Sequence, residues 1–367
     1  MVDDAKSDTS GAAARFTAFA PLIALAVLIA GALLPSSAWF NVVAGLSLIA
    51  AVIVAVHHAE VVAHKVGEPF GTLVLALAVT VIEVALILSL MLSGGADKAV
   101  VPRDTIYAAV MIICNGVVGA CVLVGGIHHH EQSFHMEGAR SGIAALISLA
   151  TLSLVVPVFT TSSPEGTYNN AQLAFVAVMS LVLWLVFVFI QTVRHRDYFL
   201  PAAGSASEDE HAPPPNARAA WKSFGLMVVA LVAVVGLAKL LSPVIEAIVR
   251  NVGAPQAVIG IAIALLVLAP ETTAALRAAR SNRLQTSLNL AIGSALASIG
   301  LTIPAVVVAA IALDLPLVLG LGATNIALMA LTFVVTTLTL GSGRTTLMQG
   351  AIHLVLFAAF LFLSLVP

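Results

Sequence analysis

Long apolar stretches, each about as long as a membrane span, follow one another along almost the whole chain. Crossing the hydrocarbon core of a bilayer takes about 20 apolar residues in a helix, and charges, prolines, glycines and polar clusters mark the connections. On this pattern we predict an all-α polytopic membrane protein with eleven transmembrane helices. These helices are predicted over residues 16–35, 40–63, 70–93, 106–126, 142–161, 171–193, 222–241, 255–279, 285–311, 316–340 and 345–365.

The composition excludes a water-soluble protein. Of the 367 residues, 60% are hydrophobic and only 9% are charged, and the mean hydropathy is +1.08, whereas soluble domains carry about 25% charged residues. The formal net charge of −2 leaves no basic surface for a nucleic acid. The expected surroundings are therefore membrane lipid. No cofactor is expected, and the sequence leaves a homo-oligomer open.

Lysines and arginines are distributed unevenly over the predicted connections. With the N-terminus inside, only four of the sixteen Lys and Arg lie on the outer side, namely Lys98, Arg103, Lys239 and Arg250. Because cytoplasmic loops carry an excess of Lys and Arg, we predict a multi-pass protein of the bacterial inner (plasma) membrane with a cytoplasmic N-terminus. An odd number of helices then places the C-terminus outside.

A polar segment over residues 195–221, with an acidic run and three consecutive prolines, separates two sets of five helices. Its composition predicts an acidic, proline-rich cytoplasmic linker that does not fold alone. Residues 1–15 are predicted to form a disordered cytoplasmic tail, and residues 16–35 an extra N-terminal helix. Because five is odd, the two sets, 40–194 and 222–367, must enter the membrane from opposite sides. This is the plan of two inverted five-helix repeats.

Two acidic residues lie deep inside predicted spans, where ionisable groups are rare and usually functional. Glu83 lies in LALAVTVIEVALILSL and Glu271 in IGIAIALLVLAPETTAAL, each in the second helix of its set of five. An inverted repeat would bring them together near the middle of the membrane. Two carboxylates with hydroxyl and carbonyl oxygens favour a hard cation such as Ca²⁺ or Na⁺, and protons compete with a metal for such ligands.

The helices around these glutamates carry further small polar residues and glycines. Thr80 and Thr272 lie within three residues of the two glutamates, and Pro270 lacks a backbone donor, which frees a carbonyl oxygen. Asn115 is interpreted as a ligand or as a hydrogen-bond partner that orients Glu83. Other candidates for the cation- and proton-binding site are Ser294 and Ser298, and the glycines expected to permit close helix approach are Gly116, Gly119, Gly293 and Gly300. The alternative is that each glutamate is a structural polar bridge between helices.

Glu60 and His64 fall on one face of the second predicted helix, near its cytoplasmic end. Together with Glu68 they are candidates for an access or gating route that protons or cations follow from the cytoplasm. A polar helix end at the membrane surface is an equal alternative. Glu68 also belongs to the sequence GEPFG, in which glycine and proline predict a break before the helix that carries Glu83.

Three stretches of the chain resemble one known family. HHAEVVAHKVGEPFGTLVLALAVTVIEVALI is similar to the first signature repeat of the bacterial ChaA-type calcium/sodium–proton antiporters, which belong to the cation/calcium exchanger superfamily, close to its H⁺/Ca²⁺ exchanger branch. LLVLAPETTAALRAARSNRLQTSLNLAIGSALASIGLTIP resembles the second repeat, and GSGRTTLMQGAIHLVLFAAFLF resembles the C-terminal helix. The resemblance implies eleven helices, inverted repeats and one essential glutamate per repeat, at Glu83 and Glu271.

The resemblance implies a secondary active transporter and not an enzyme. Its expected activity is export of Ca²⁺ in exchange for H⁺, by alternating access to a midplane site with two glutamates. Amide side chains of the H⁺/Ca²⁺ exchanger branch are replaced at Leu75, Thr80, Leu268 and near Ala297, so Na⁺/H⁺ or K⁺/H⁺ exchange is left open. The alternatives from other classes are a cation channel, which would need a continuous polar stripe, and a membrane scaffold without transport.

Overall fold

The computed structural model describes residues 2–33, 37–67, 70–94, 98–163, 167–200 and 215–366, and the side chains within these ranges except those of 2–14, 72, 93 and 94. Within this part of the chain, eleven helical segments are long and apolar enough to cross a membrane. The predicted all-α polytopic fold class is thereby confirmed. Most of the predicted linker, residues 201–214, and the candidate access residue Glu68 lie outside the described residues.

Apart from turns and connections, the described residues form helices and two short strands. The α-helices are α1 (Val2–Leu33), α2 (Ala38–Val66), α3 (Phe70–Gly94), α4 (Val101–Met111), α5 (Val118–His129), α6 (Met136–Ala150), α7 (Val156–Phe159), α8 (Asn170–Phe189), α9 (Ala217–Val252), α10 (Ala257–Arg280), α11 (Leu284–Ala312), α12 (Ala323–Leu340) and α13 (Leu347–Leu365). The strands are β1 (Glu131–Ser133) and β2 (Arg344–Thr346). The first, second and third π-helical segments are Ile112–Val117, Thr151–Val155 and Ile190–Arg194, and a 3₁₀ turn lies at Arg196–Phe199.

Three of the spans contain a π-helical segment. The first segment joins α4 to α5, the second joins α6 to α7, and the third continues α8. In the first segment the backbone N–H of Val118 bonds the carbonyl of Ile113, five residues earlier, so the helix holds one extra residue there. Such insertions are frequent at functional sites. One extra residue leaves an apolar run unchanged, which is why the sequence predicted uniform helices.

The first compact unit consists of α1, α2, α3 and α9, from Met1–Ser93 and His211–Val252. Helix α2 packs along α9, and α1 packs against both. Close approach of α1 to α9 depends on small residues, since a Cβ on Gly31 would lie 2.6 Å from Leu240. The Ser89 hydroxyl of α3 lies 3.5 Å from the Val235 carbonyl of α9. This unit therefore holds the extra N-terminal helix against the helix that follows the linker.

The second compact unit contains α4 to α8, α10 to α13 and both strands, from Gly94–Glu210 and Gly253–Pro367. Helix α11 packs against α5, α6, α8 and α10, and α13 packs on α5. Glycines bring α5 and α13 together, because a Cβ on Gly350 would meet the backbone of Leu123. Each compact unit thus takes helices from both sets of five, and neither unit coincides with one half of the sequence.

The connections of the second compact unit gather at two ends. At one end β1 pairs antiparallel with β2, and Gln132 Nε2 donates to the Ala279 carbonyl and to Asn282 Oδ1, both at 3.0 Å. At the other end the backbone N–H of Val318 donates to the Ala99 carbonyl at 3.0 Å. The contacts of β1, β2 and Gln132 join loops that are predicted to be cytoplasmic. The bond between Val318 and Ala99 joins loops that are predicted to lie outside. The structure therefore agrees with the predicted alternation of spans, and which end faces the cytoplasm stays a prediction.

Several predicted helix boundaries differ from the structure, most clearly at the N-terminus and in the seventh span. The fifth span begins at Met136 and not at 142, and the tenth begins at Ala323 and not at 316. The backbone of α1 is helical from Val2, where the sequence predicted a disordered tail over 1–15; alanines favour the helix, and acidic residues near its start favour the positive end of its dipole. Helix α9 runs over Ala217–Val252, beyond the predicted 222–241. Lys239, predicted to lie at the outer end of the seventh helix, is an exposed residue within α9, and its long aliphatic stem lets the charge reach a polar surface.

Candidate functional site

Glu83 lies near the middle of α3 in the first compact unit, and its side chain is only 2% exposed. Thr80 is buried on the same helix, and a spacing of three residues places it on the same face. An acidic side chain this deep in an apolar helix is costly, because the surrounding groups replace water poorly. Helix α3 thus carries a buried carboxyl group and a buried hydroxyl on the same face.

The break predicted before α3 is confirmed, because α2 ends at Val66 and α3 begins at Phe70. Gly67 terminates α2 with a φ of +76°, a conformation that favours glycine, and its N–H donates to the Ala63 carbonyl at 2.9 Å. A Cβ on Gly71 would lie 2.5 Å from that same carbonyl oxygen, so α3 can begin this close to the end of α2 only with glycine there. Gly67 and Gly71 thus mark the end of α2 and the start of the helix that carries Glu83.

The two access candidates within the described residues, Glu60 and His64, are exposed on α2. Exposure suits both an access route and a polar helix end, so the structure leaves both interpretations in place. His58, which the sequence did not single out, is buried two residues before Glu60, and its Nε2 lies 3.0 Å from the Thr17 carbonyl oxygen. It therefore links α2 to α1.

Glu271 lies on α10 in the second compact unit and is partly exposed. Helix α10 continues through Pro270 without a break. The proline still removes the N–H that would bond the carbonyl four residues earlier, that of Leu266. The Thr272 hydroxyl donates to the Leu268 carbonyl at 2.7 Å, so its proton is used within its own helix and only its oxygen remains to act as a ligand.

Helix α11, which packs on α10, carries the two serine candidates. Ser298 is buried and Ser294 is partly exposed, and their spacing of four residues places them on one face. Gly300 permits the close approach predicted for it, because a Cβ there would lie 2.5 Å from Trp184 Cβ in α8. Gly293 does not, since its Cβ would meet no described atom within 4 Å.

Asn115 is fully buried in the first π-helical segment. Its Nδ2 donates to Thr332 Oγ1 at 2.9 Å, and its Oδ1 lies 3.3 Å from His353 Nδ1. His353 Nε2 in turn lies 3.1 Å from Thr339 Oγ1. These partners come from α12 and α13, more than 200 residues along the chain, and no spacing in the sequence links them to Asn115. In the sequence, the only indication of this group of side chains is that His353 lies within the last predicted span.

The described residues contain no group of three or more His, Cys, Asp and Glu side chains that could hold a metal ion. A site of the predicted kind would have two carboxylates and would take its remaining ligands from hydroxyl, amide or carbonyl oxygens, the ligand types that hard cations accept. Glu83 belongs to the first compact unit, whereas Glu271, Asn115 and the two serines belong to the second. Within the second compact unit, Glu271, Asn115 and the two serines lie on α10, the first π-helical segment and α11, elements that contact one another.

Comparison with known proteins identifies the family. The family model described as "Sodium/calcium exchanger protein" matches residues 36–193 and 222–366, which include all ten helices of the two predicted sets. "Putative ionic transporter y4hA" of Sinorhizobium fredii (strain NBRC 101917 / NGR234) is 50% identical over 321 residues, 87% of each chain. "Sodium-potassium/proton antiporter ChaA" of Escherichia coli (strain K12) is 35% identical over 347 residues, 93% of each chain.

The fold agrees with a solved structure. The structure of native YfkE covers 95% of this chain and 99% of its own, with a TM-score of 0.73 at 16% sequence identity. This likeness concerns the arrangement of helices, since the identity is low. The match to the family model over most of the chain, together with the two relatives, settles the family. The chain belongs to the sodium/calcium exchanger family, as a ChaA-type member of the cation/calcium exchanger superfamily.

Proposed function

We propose that this cation/proton antiporter of the Ca²⁺/H⁺ exchanger family exports Ca²⁺ from the cytoplasm in exchange for protons, and that Glu83 and Glu271 bind the ion and the protons in turn. The observation that carries the proposal is the burial of Glu83, 2% exposed in the middle of an apolar span. Acidic residues within membrane spans are costly and rare, and they usually mark an ion or proton pathway. Glu271 occupies the corresponding second helix of the other set of five.

Coupling follows from the chemistry of carboxylates. A carboxylate that holds a proton cannot ligate a cation strongly, so metal and protons exclude each other from the same site. Two protons carry the same charge as one Ca²⁺, so a site with two carboxylates is neutral with either load. Neutrality lowers the cost of moving the loaded site through an apolar membrane. Thr80, Asn115, Ser294, Ser298 and Thr272 are proposed to supply the remaining oxygen ligands.

A second candidate function is exchange of Na⁺ or K⁺ for protons with little Ca²⁺ activity. It is favoured by the relative named a sodium-potassium/proton antiporter, 35% identical over 93% of this chain. The residues Leu75, Thr80 and Leu268 favour the same function, because none of them carries a carboxamide. Ca²⁺ takes six to eight oxygen ligands, so a site with fewer amide oxygens loses more Ca²⁺ affinity than affinity for a monovalent ion.

Ion flux in proteoliposomes under an imposed pH gradient tests the proposal. The wild type is assayed with Ca²⁺, Na⁺ and K⁺ separately, beside Glu83→Gln, Glu271→Gln and the matched control Glu131→Gln, whose carboxylate is exposed on β1 beside Arg344. We expect Glu83→Gln and Glu271→Gln to lose coupled exchange and the control to retain it. Exchange at the wild-type rate in either of these two variants would contradict the two-glutamate site. Exchange of Na⁺ or K⁺ without Ca²⁺ would select the second candidate.

A further inference from the structure

A chain of hydrogen bonds between buried side chains connects the first π-helical segment to α12 and α13. Its members are Asn115, Thr332, Thr339 and His353, of which the first, second and last are fully buried and Thr339 nearly so. Polar groups in such a place are stable only when their hydrogen-bonding capacity is used. The geometry of the bonds therefore determines which atoms donate and which accept.

The Thr332 hydroxyl fixes the direction of the Asn115 carboxamide. Thr332 Oγ1 donates its one proton to the Leu328 carbonyl at 2.8 Å, so it accepts the 2.9 Å bond from Asn115 Nδ2. The other end of the carboxamide, Oδ1, then faces His353 Nδ1 at 3.3 Å. Because an amide oxygen carries no proton, His353 Nδ1 must be the donor of that bond.

The same reasoning places the proton of His353. A neutral imidazole has one N–H, so with the proton on Nδ1 the other nitrogen, Nε2, accepts. Thr339 Oγ1 lies 3.1 Å from Nε2 and donates to it. His353 is thus held as one tautomer that points its N–H at the π-helical segment.

Backbone packing holds His353 in this place as well. A Cβ on Gly119 would lie 2.8 Å from His353 Cβ and 3.3 Å from the Gly350 carbonyl oxygen. Only a glycine in α5 therefore lets α13 come close enough for the imidazole to reach Asn115. The close packing of α13 on α5 thus determines where the imidazole ring lies.

We propose that His353 is a positioning residue for Asn115, which it holds with Oδ1 in one orientation, and that this orientation sets the affinity of the transport site for its cation. The inference rests on the proposed function. An amide oxygen has two lone pairs, so Oδ1 can accept from His353 and still face a cation or its bound water. Without His353 the carboxamide is held by Thr332 alone and can rotate more freely, and in the turned orientation it presents its N–H groups, which repel a cation.

Two substitutions of His353 separate positioning from packing. His353→Asn keeps an N–H donor near the place of Nδ1, whereas His353→Gln carries its amide one bond further and loses the bond to Asn115. We expect His353→Gln to raise the apparent KM for Ca²⁺ in proteoliposomes about five- to tenfold, the value of one hydrogen bond, with the maximal rate within twofold. His353→Asn should restore the KM to within about twofold, and the control Ser364→Ala, which removes a hydroxyl that donates to the Phe360 carbonyl within α13, should leave the wild-type KM unchanged. An equal KM for His353→Asn and His353→Gln would overturn the inference.

Thr332 provides an independent test if the His353 variants fail to fold, which size-exclusion chromatography in detergent would reveal. Thr332→Val removes the acceptor of Asn115 Nδ2 without changing His353, and it should raise the apparent KM by a similar factor, whereas Thr332→Ser should restore it. An unchanged KM in Thr332→Val would overturn the inference.

The proposed function and this inference can be contradicted separately, because full exchange in Glu83→Gln contradicts the two-glutamate site whatever the His353 variants do. If the wild type carries only Na⁺ or K⁺, the same KM comparison is made with that ion.

Discussion

Tyr168 and Leu321 satisfy backbone carbonyls of the second π-helical segment from outside its helix. The Tyr168 hydroxyl donates to the Leu152 carbonyl at 2.7 Å, and the Leu321 N–H donates to the Leu154 carbonyl at 2.9 Å. A π-helical turn displaces the ordinary bonds between residues four apart, and unsatisfied carbonyls inside a membrane are costly. Single residues in the connections therefore stabilise an irregular helix that the chain could not maintain alone.

Tyr168→Phe should lower the free energy of unfolding by about 1 kcal/mol, because it leaves the Leu152 carbonyl without this donor. Thermal unfolding in detergent measures the change, and Tyr198→Phe, which alters an exposed tyrosine, is the control.

Burial raises the pKa of Tyr168, so the stabilisation that this residue provides is complete below about pH 10 and is lost as the pH rises through the raised value. The alkaline loss of stability should be smaller in Tyr168→Phe. Identical melting temperatures and alkaline profiles would contradict this role.

At the scale of helices, close packing depends on glycines at particular positions. In α11, Gly300 faces Trp184 of α8, whereas Gly293 has no described atom within 4 Å of the place of a Cβ. Both glycines lie in the same helix and both belong to a pattern of small residues. The sequence alone therefore treats them alike, and the neighbouring helix distinguishes them.

Gly300→Ala should destabilise the protein by about 1–3 kcal/mol, because the new methyl group would lie 2.5 Å from Trp184 Cβ and force α8 and α11 apart. Gly293→Ala is the matched control in the same helix. Alanine favours a helix over glycine by about 1 kcal/mol, so Gly293→Ala should leave the melting temperature unchanged or raise it. Equal effects of both substitutions on thermal unfolding would show that α8 and α11 are not packed in this way.

At the scale of the whole molecule, the distribution of charge predicts the orientation in the membrane. Arg140, Arg280 and Arg344 lie at or beside the connections that the strands β1 and β2 hold together, whereas Lys98 and Arg103 lie at the other end of the second compact unit. Positive residues are retained on the cytoplasmic side. The strand end is therefore predicted to face the cytoplasm, and the C-terminus the outside.

Cysteine labelling in intact cells tests this orientation. Cys114 and Cys121, the only native cysteines, are buried, so the background reaction should be small. A cysteine at the exposed position of Val366→Cys should react with a membrane-impermeant maleimide, whereas Arg218→Cys, at the start of α9, should react only after permeabilisation. The reverse labelling pattern would place the N-terminus outside and contradict the prediction.

The sequence by itself determined the eleven spans and singled out Glu83 and Glu271, because hydrophobic length and an acidic residue within it are local properties of the chain. The tertiary structure decided what depends on distant segments. It showed that Asn115 bonds Thr332 and His353, that Gly300 and not Gly293 meets a described neighbour, and that π-helical segments interrupt two of the described spans and end a third. It also showed that each compact unit takes helices from both halves. Contacts of this kind arise from packing between helices far apart in sequence, which no local pattern of residues encodes.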